Sequence, residues 1–324
     1  MQTVTSLTGA FPRSEALVEA TRDLDRGRTT PEAVQELVLR TEADVAQLEA
    51  RLGLEPRTGG YLRWQDLFRP FAETWEGFTV GPLTRWFETN QFYRQPILHA
   101  PPARVPGAIA GWLPPAGGSG AHPRKAILPG PYTFAGLVDN RSGETSEALT
   151  HRLGRLLGEE VHELRAAGYT AFQFQEPLLV THPPEGARAE AVVAAYKAIG
   201  TAAEGATTAV WTFFGDAQPA WPLLARLPVS LVGVDLSETD ALSLPPSPDR
   251  RGLGLGVIDP RTSLIEDPGE VVRLARSIAE RHRPTTLWVG SGAPLDLLPW
   301  EPATRKLHGL PAVRQGLDAS GGGA

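Results

Sequence analysis

A carboxylate and an imidazole six positions apart are the first chemistry the chain offers. Glu176 stands in Phe174-Gln175-Glu176-Pro177, and His182 in Thr181-His182-Pro183-Pro184. Both follow the same apolar run, so both can reach one opening and serve as catalytic groups. Glu176 reads equally well as an acceptor that orients neighbouring loops, and His182 as a loop histidine. Arg13, Arg94 and Arg261 can form an anion site through charge-assisted hydrogen bonds, or each can pair with Asp216, Asp235 or Asp259. Trp211 and Phe213 alternate along one run and can either stack a flat ligand or fill core. Cysteine is absent from all 324 residues. That excludes thiolate metal ligands, cysteine nucleophiles and disulfides together. Among the seven histidines, His151 and His162 share a helix face with Glu159 and Glu163, which reads as a solvated face rather than a metal site.

These residues need a scaffold that collects them. Short apolar runs bounded by Gly, Pro or Asp predict strands at Lys125–Leu128, Thr170–Gln175, Thr208–Phe214, Ser230–Leu236, Gly254–Ile258 and Thr286–Val289. Thr3–Thr8 is a weaker candidate for the first strand, and Val105–Trp112 for another strand or a hairpin beside the sheet. Helical spacing predicts Ser146–Ala167, Ala187–Ala203 and Pro268–Arg281 between strands. An extra N-terminal helix, Thr30–Gly53, opens with Thr30-Pro31-Glu32. Strand–helix alternation over most of the chain predicts an α/β fold of the (β/α)8, TIM-barrel type with an N-terminal helical extension. One domain is expected over 1–317, with a mobile loop tip at Gly117–Gly120 and a disordered Gly-rich tail at 318–324. In such a barrel the site lies at the C-terminal strand ends. Arg13, Gln175, Glu176, Trp211, Phe213, Asp235, Asp259, Arg261 and Ala293 all fall there.

Composition narrows the partners. A net charge of −6 without a basic stripe argues against nucleic acid. No apolar run approaches the ~18 residues of a membrane span, and no leader pattern is evident, so a cytoplasmic protein is expected.

At the strand ends the sequence resembles the cobalamin-independent methionine synthase family, in its short single-barrel form similar to the catalytic C-terminal half of the long enzymes. Thr8-Gly9-Ala10-Phe11-Pro12-Arg13 resembles the family's opening Gly-Ser-(Phe/Tyr)-Pro-Arg. The segment from Arg85 to Pro96 resembles Arg-Phe-Phe-x-Thr-Asn-x-Phe-Tyr-Arg-x-Pro. Leu128–Thr133, Phe174–Pro177, Gly256–Asp259 and Leu298–Pro299 resemble further family segments in the same order, so the likeness runs from Thr8 to about Leu317.

The resemblance implies a methyltransferase of methionine biosynthesis, with a methylfolate or methylcorrinoid donor and a thiol acceptor such as homocysteine. It also implies a zinc ion that holds the acceptor as a thiolate. The family's ligand positions fall here on Trp211, Phe213, Asp235 and Ala293, so the zinc site is expected to be lost, with no metal bound. The opening Ser is Ala10, the Asp before Glu176 is Gln175, and the His after Asp259 is Arg261. In the family those positions serve the amino group of the substrate or proton transfer. Two expectations therefore stand. One is an enzyme with another acceptor, or with metal-free chemistry resembling the uroporphyrinogen decarboxylase barrels. The other is a non-catalytic barrel for a folate, corrinoid or tetrapyrrole-like ligand, or a partner subunit beside a corrinoid protein.

Overall fold

The computed structural model describes residues 1–114, 122–246 and 249–319. Among the described residues ten strands run in chain order: β1 Gln2–Thr5, β2 Glu76–Arg85, β3 Phe92–Ala103, β4 Lys125–Pro129, β5 Asp139–Asn140, β6 Ala171–Gln175, β7 Thr207–Trp211, β8 Leu231–Asp235, β9 Gly252–Ile258 and β10 Thr286–Ser291. Seven of them form one parallel sheet in the order β1-β10-β9-β8-β7-β6-β4. Every residue of β4, β6 and β8 is buried. Burial along the whole strand is what a parallel sheet covered on both faces imposes.

The sheet curls until its two edges are bridged by one segment. The Glu55 N–H donates to the Thr5 carbonyl at 2.8 Å, and Arg57 exchanges bonds with β4 through Pro123 and Lys125 at 2.8 and 2.9 Å. The fold is therefore α/β with a curled parallel sheet of seven strands.

The remaining strands make a second sheet, in which β2 and β3 pair antiparallel and β5 adds to β3 in parallel. Its anchor is an aromatic cluster. Phe134, just after β4, stacks on Phe78 at 5.5 Å and meets Phe68 and Phe71 at 5.2 and 5.4 Å. The expectation of a strand or hairpin at Val105–Trp112 is corrected. Gly107, at φ 78°, turns the chain into a short helix, Ala108–Trp112. The hairpin lies earlier, in β2 and β3.

The N-terminal helix forms at Pro31–Arg51, capped by Thr30, whose side chain accepts the Ala33 N–H at 3.3 Å. Its buried face carries two carboxylates that hold the next segment. Glu42 makes a two-bond pair with Arg63 at 2.7 and 2.8 Å. Glu49 accepts from Thr58 N, Thr58 Oγ1 and Gly59 N at 2.9 to 3.1 Å. Residues 58–64 are thus fixed above the sheet. The last helix, Leu310–Asp318, extends into the stretch expected to be tail. Gly117–Gly120 and residues 320–324 lie outside the described residues. No helix among the described residues is long and apolar enough to cross a membrane.

Candidate functional site

Trp211 closes β7, Asp235 closes β8, and Gly292 and Ala293 follow β10, and these positions converge. The Trp211 indole N–H donates to the Gly292 carbonyl at 3.0 Å. A methyl group on Gly292 would lie 2.2 Å from Asp235 Oδ1. The indole itself lies across β8 and β9. A methyl on Gly233 would fall 2.1 Å from it, and one on Gly254 would fall 2.4 Å from it. Only glycine leaves room for a ring of this size inside the sheet. Trp211 is 2% exposed and Phe213 fully buried, so neither presents a ring face to a ligand. Of the two roles open to them, stacking a flat ligand or filling core, this burial favours core.

Zinc does not fit this donor set. A structural or catalytic zinc site takes three or four ligands from Cys, His and carboxylates. Here Asp235 is the one ligand type present. Indole N–H is a donor only, and Phe and Ala carry no lone pair. Asp235 is buried, which pushes its carboxyl up, and Oδ2 accepts no hydrogen bond. Arg261 is 3.9 Å away. Among the described residues no group of three or more His, Cys, Asp or Glu side chains could hold a metal.

The other expected site residues divide in the same way. Glu176 is fully buried and accepts from Tyr132 N, Thr133 N and Tyr196 Oη at 3.1, 2.8 and 3.1 Å. Burial outweighs these bonds and raises it to about 7. It pins the start of the helix Pro131–Leu137, the loop-orienting acceptor role that stands beside the catalytic one in the sequence reading. Glu176→Gln should therefore lower stability by about 1–3 kcal/mol, the cost of a poorly satisfied buried group. Ligand affinity of the folded variant should stay within two-fold. Unchanged melting with lost binding would favour the catalytic role instead.

His182 is exposed, and its Nδ1 lies 3.2 Å from Thr181 Oγ1, as a loop histidine would. Arg261 bonds Asp259 at 2.9 Å and also Glu238, which satisfies Arg261 and Asp259 without an external anion. The expected anion site is not assembled there.

Gln175 does reach an opening. Its amide donates to the Thr8 carbonyl at 3.3 Å, and it lines an open cleft with a cavity volume of about 70 Å³. Ala10, Pro294 and Asp296 line the cavity from the strand ends. Tyr61, Trp64 and Asp66 close it from the segment after the N-terminal helix, and Trp86, Gln91 and Tyr93 from the β2–β3 hairpin. The two loops at the strand ends are clasped, since Asp296 N donates to the Ala10 carbonyl at 3.1 Å.

Burial raises Asp296 to about 6 against the pull of Arg13. Arg13 itself is lowered by burial. Asp66 accepts three backbone N–H groups, from Phe68, Arg69 and Arg94, at 2.8 to 3.0 Å. It thereby ties the hairpin to the helix Arg69–Thr74.

Asp66, Asp296 and the four rings were not singled out from sequence. Trp86 and Tyr93 lie inside the Arg85–Pro96 motif, which is the signal that could have found them. Asp296 sits three residues past the last expected ligand position.

Comparison with known proteins follows the same scaffold. The sequence model described as the N-terminal domain of cobalamin-independent synthase matches residues 70–283. This model names the N-terminal domain, whereas the motifs resemble the catalytic C-terminal half of the long enzymes. A methionine synthase of Sulfurisphaera tokodaii is 28% identical over 98% of this chain and 94% of its own length. A 5-methyltetrahydropteroyltriglutamate–homocysteine methyltransferase of Mycobacterium tuberculosis is 34% identical, over 60% of this chain and 26% of its own length. The structure of a B12-independent methionine synthase from a Shewanella species, in complex with selenomethionine, superposes with a TM-score of 0.74. It is 18% identical and covers 98% of both chains.

Proposed function

This chain belongs to the cobalamin-independent methionine synthase family, and on that premise we propose that it is a member in which zinc-activated methyl transfer to a thiol no longer operates. What remains is a small-molecule site in the cleft at the sheet's C-terminal end. The observation that supports this reading is the Trp211 indole, bonded to Gly292 and packed on Gly233 and Gly254, at the strand ends to which the motif resemblance assigns the family's metal ligands. Residues 1–317 are read as one domain. The Glu55–Arg57 segment, bonded to both sheet edges, serves as the eighth stave that closes a (β/α)8 barrel. The methylfolate and methylcorrinoid donors that the family brings forward are the first ligands to titrate.

The test has two arms. Homocysteine with either methyl donor should give no methionine. Turnover near the ~10 s⁻¹ typical of enzymes would overturn the proposal. Ligands found by native mass spectrometry should bind the wild-type chain and be excluded by Ala10→Phe, which fills the cleft from the strand end. Binding indifferent to Ala10→Phe would place the site elsewhere.

A further inference from the structure

The cleft is walled by aromatic side chains, and the polar tips of three of them are taken up by backbone groups. The Tyr61 hydroxyl accepts the Ile127 N–H, and the Tyr93 hydroxyl donates to the Leu137 carbonyl at 3.2 Å. The Trp64 indole N–H donates to the Trp112 carbonyl at 3.0 Å. What these residues leave to the cavity is ring surface. The rings stand as two edge-to-face pairs, Tyr61 with Trp64 at 4.9 Å and Trp86 with Tyr93 at 5.5 Å, both at 77°.

The charged side chains that line the cleft are both acidic, and no Lys, Arg or His lines it. Asp66 is committed to its three backbone donors. Asp296 is clasped through its backbone by Ala10 and the Gln91 amide, and Gln91 and Arg13 also act on its carboxyl, which belongs to a residue of the cleft lining. Arg13 does so from outside the lining.

A carboxylate in a largely desolvated pocket is stabilised by a cation, and ring faces carry the negative end of the aromatic quadrupole. A neutral apolar ligand would desolvate the carboxylates without compensation, and an anion would be repelled by them. We propose that the cleft takes a small methylated organic cation, an ammonium or sulfonium. Its charge lies against Asp296 and its methyl groups against Tyr61, Trp64, Trp86 and Tyr93. The inference rests on the reading of this cleft as the ligand site.

Three probes decide it on the full chain by calorimetric titration: choline, its neutral isostere 3,3-dimethyl-1-butanol, and methyltetrahydrofolate. Choline should saturate one site, at least ten-fold more tightly than the isostere, and Ala10→Phe should abolish that binding. Asp296→Asn and Trp86→Leu should each weaken choline about ten-fold or more, and either variant suffices if the other fails to fold. Isostere or methyltetrahydrofolate binding as tight as choline, at the site that Ala10→Phe blocks, would overturn the cation inference and leave the cleft reading standing. If none of the three binds in a manner sensitive to Ala10→Phe, both fall.

Discussion

Trp211→Ala is expected to destabilise the protein by about 3–5 kcal/mol, the range for deleting a large buried aromatic. The indole sits in a space that no neighbour can reclaim. Gly233 and Gly254 have no side chains to move into it, and the surrounding strands are held in register by the parallel ladder. The Gly292 carbonyl also loses its indole donor. Trp211→Phe should recover part of the loss through ring volume alone. Chemical denaturation gives the answer directly. A change below about 1 kcal/mol, together with weakened ligand binding, would show that the ring is a platform at the site and not its filling.

The second large effect lies inside the sheet. Lys125 begins β4 with its side chain fully buried, its Nζ donating to Gln173 Oε1 at 2.9 Å and lying 5.1 Å over the Trp288 ring. Burial lowers it from 10.5 to about 7, with only Glu49 pulling the other way. A lysine whose folded value is depressed binds fewer protons folded than unfolded. Its contribution is therefore fully present above pH 10.5 and is lost as pH falls towards 7. Between those limits stability should climb with pH at up to about 1.4 kcal/mol per unit.

Lys125→Met removes that proton linkage and keeps most of the volume, at the cost of leaving Gln173 without its donor. The variant should be about 2–3 kcal/mol more stable than wild type at pH 7, the relieved linkage less the lost bond. The advantage should shrink steadily towards pH 10. Because the comparison is a difference between two chains, other titrating groups cancel. A variant that melts lower at pH 7, with a pH profile parallel to wild type, would show the lysine charged and paired in the fold.

The strands were legible because each is a short apolar run whose ends are punctuated. Lys125–Pro129, Ala171–Gln175 and Leu231–Asp235 fall within a residue or so of their expected bounds. Thr207–Trp211 ends earlier than read, because Phe213 packs inward beyond the ladder. The β2–β3 hairpin escaped notice since much of it is solvated, so neither alternation nor a continuous apolar run marks it. Pro101 and Pro102 near the end of β3 also argued for loop. At the site, the convergence of Trp211, Asp235 and Ala293 was readable from motif order. The filling of that place by the indole depended on Gly233 and Gly254 across two other strands, which no local pattern announces. The cleft was hidden for a similar reason. Its walls come from residues 61–66, 86–93 and 294–296; only Ala10 and Gln175 stood out as single site positions, while residues 86–93 fell inside the Arg85–Pro96 motif.

Zinc stoichiometry tests the central claim most directly. The purified chain, without affinity tag, is equilibrated with excess zinc, passed through a desalting column and measured by elemental analysis. Well under one zinc per chain is expected, because one buried carboxylate among Trp211, Phe213 and Ala293 cannot complete a coordination sphere. One retained zinc per chain that disappears in Asp235→Asn would contradict the claim that the indole has replaced the metal.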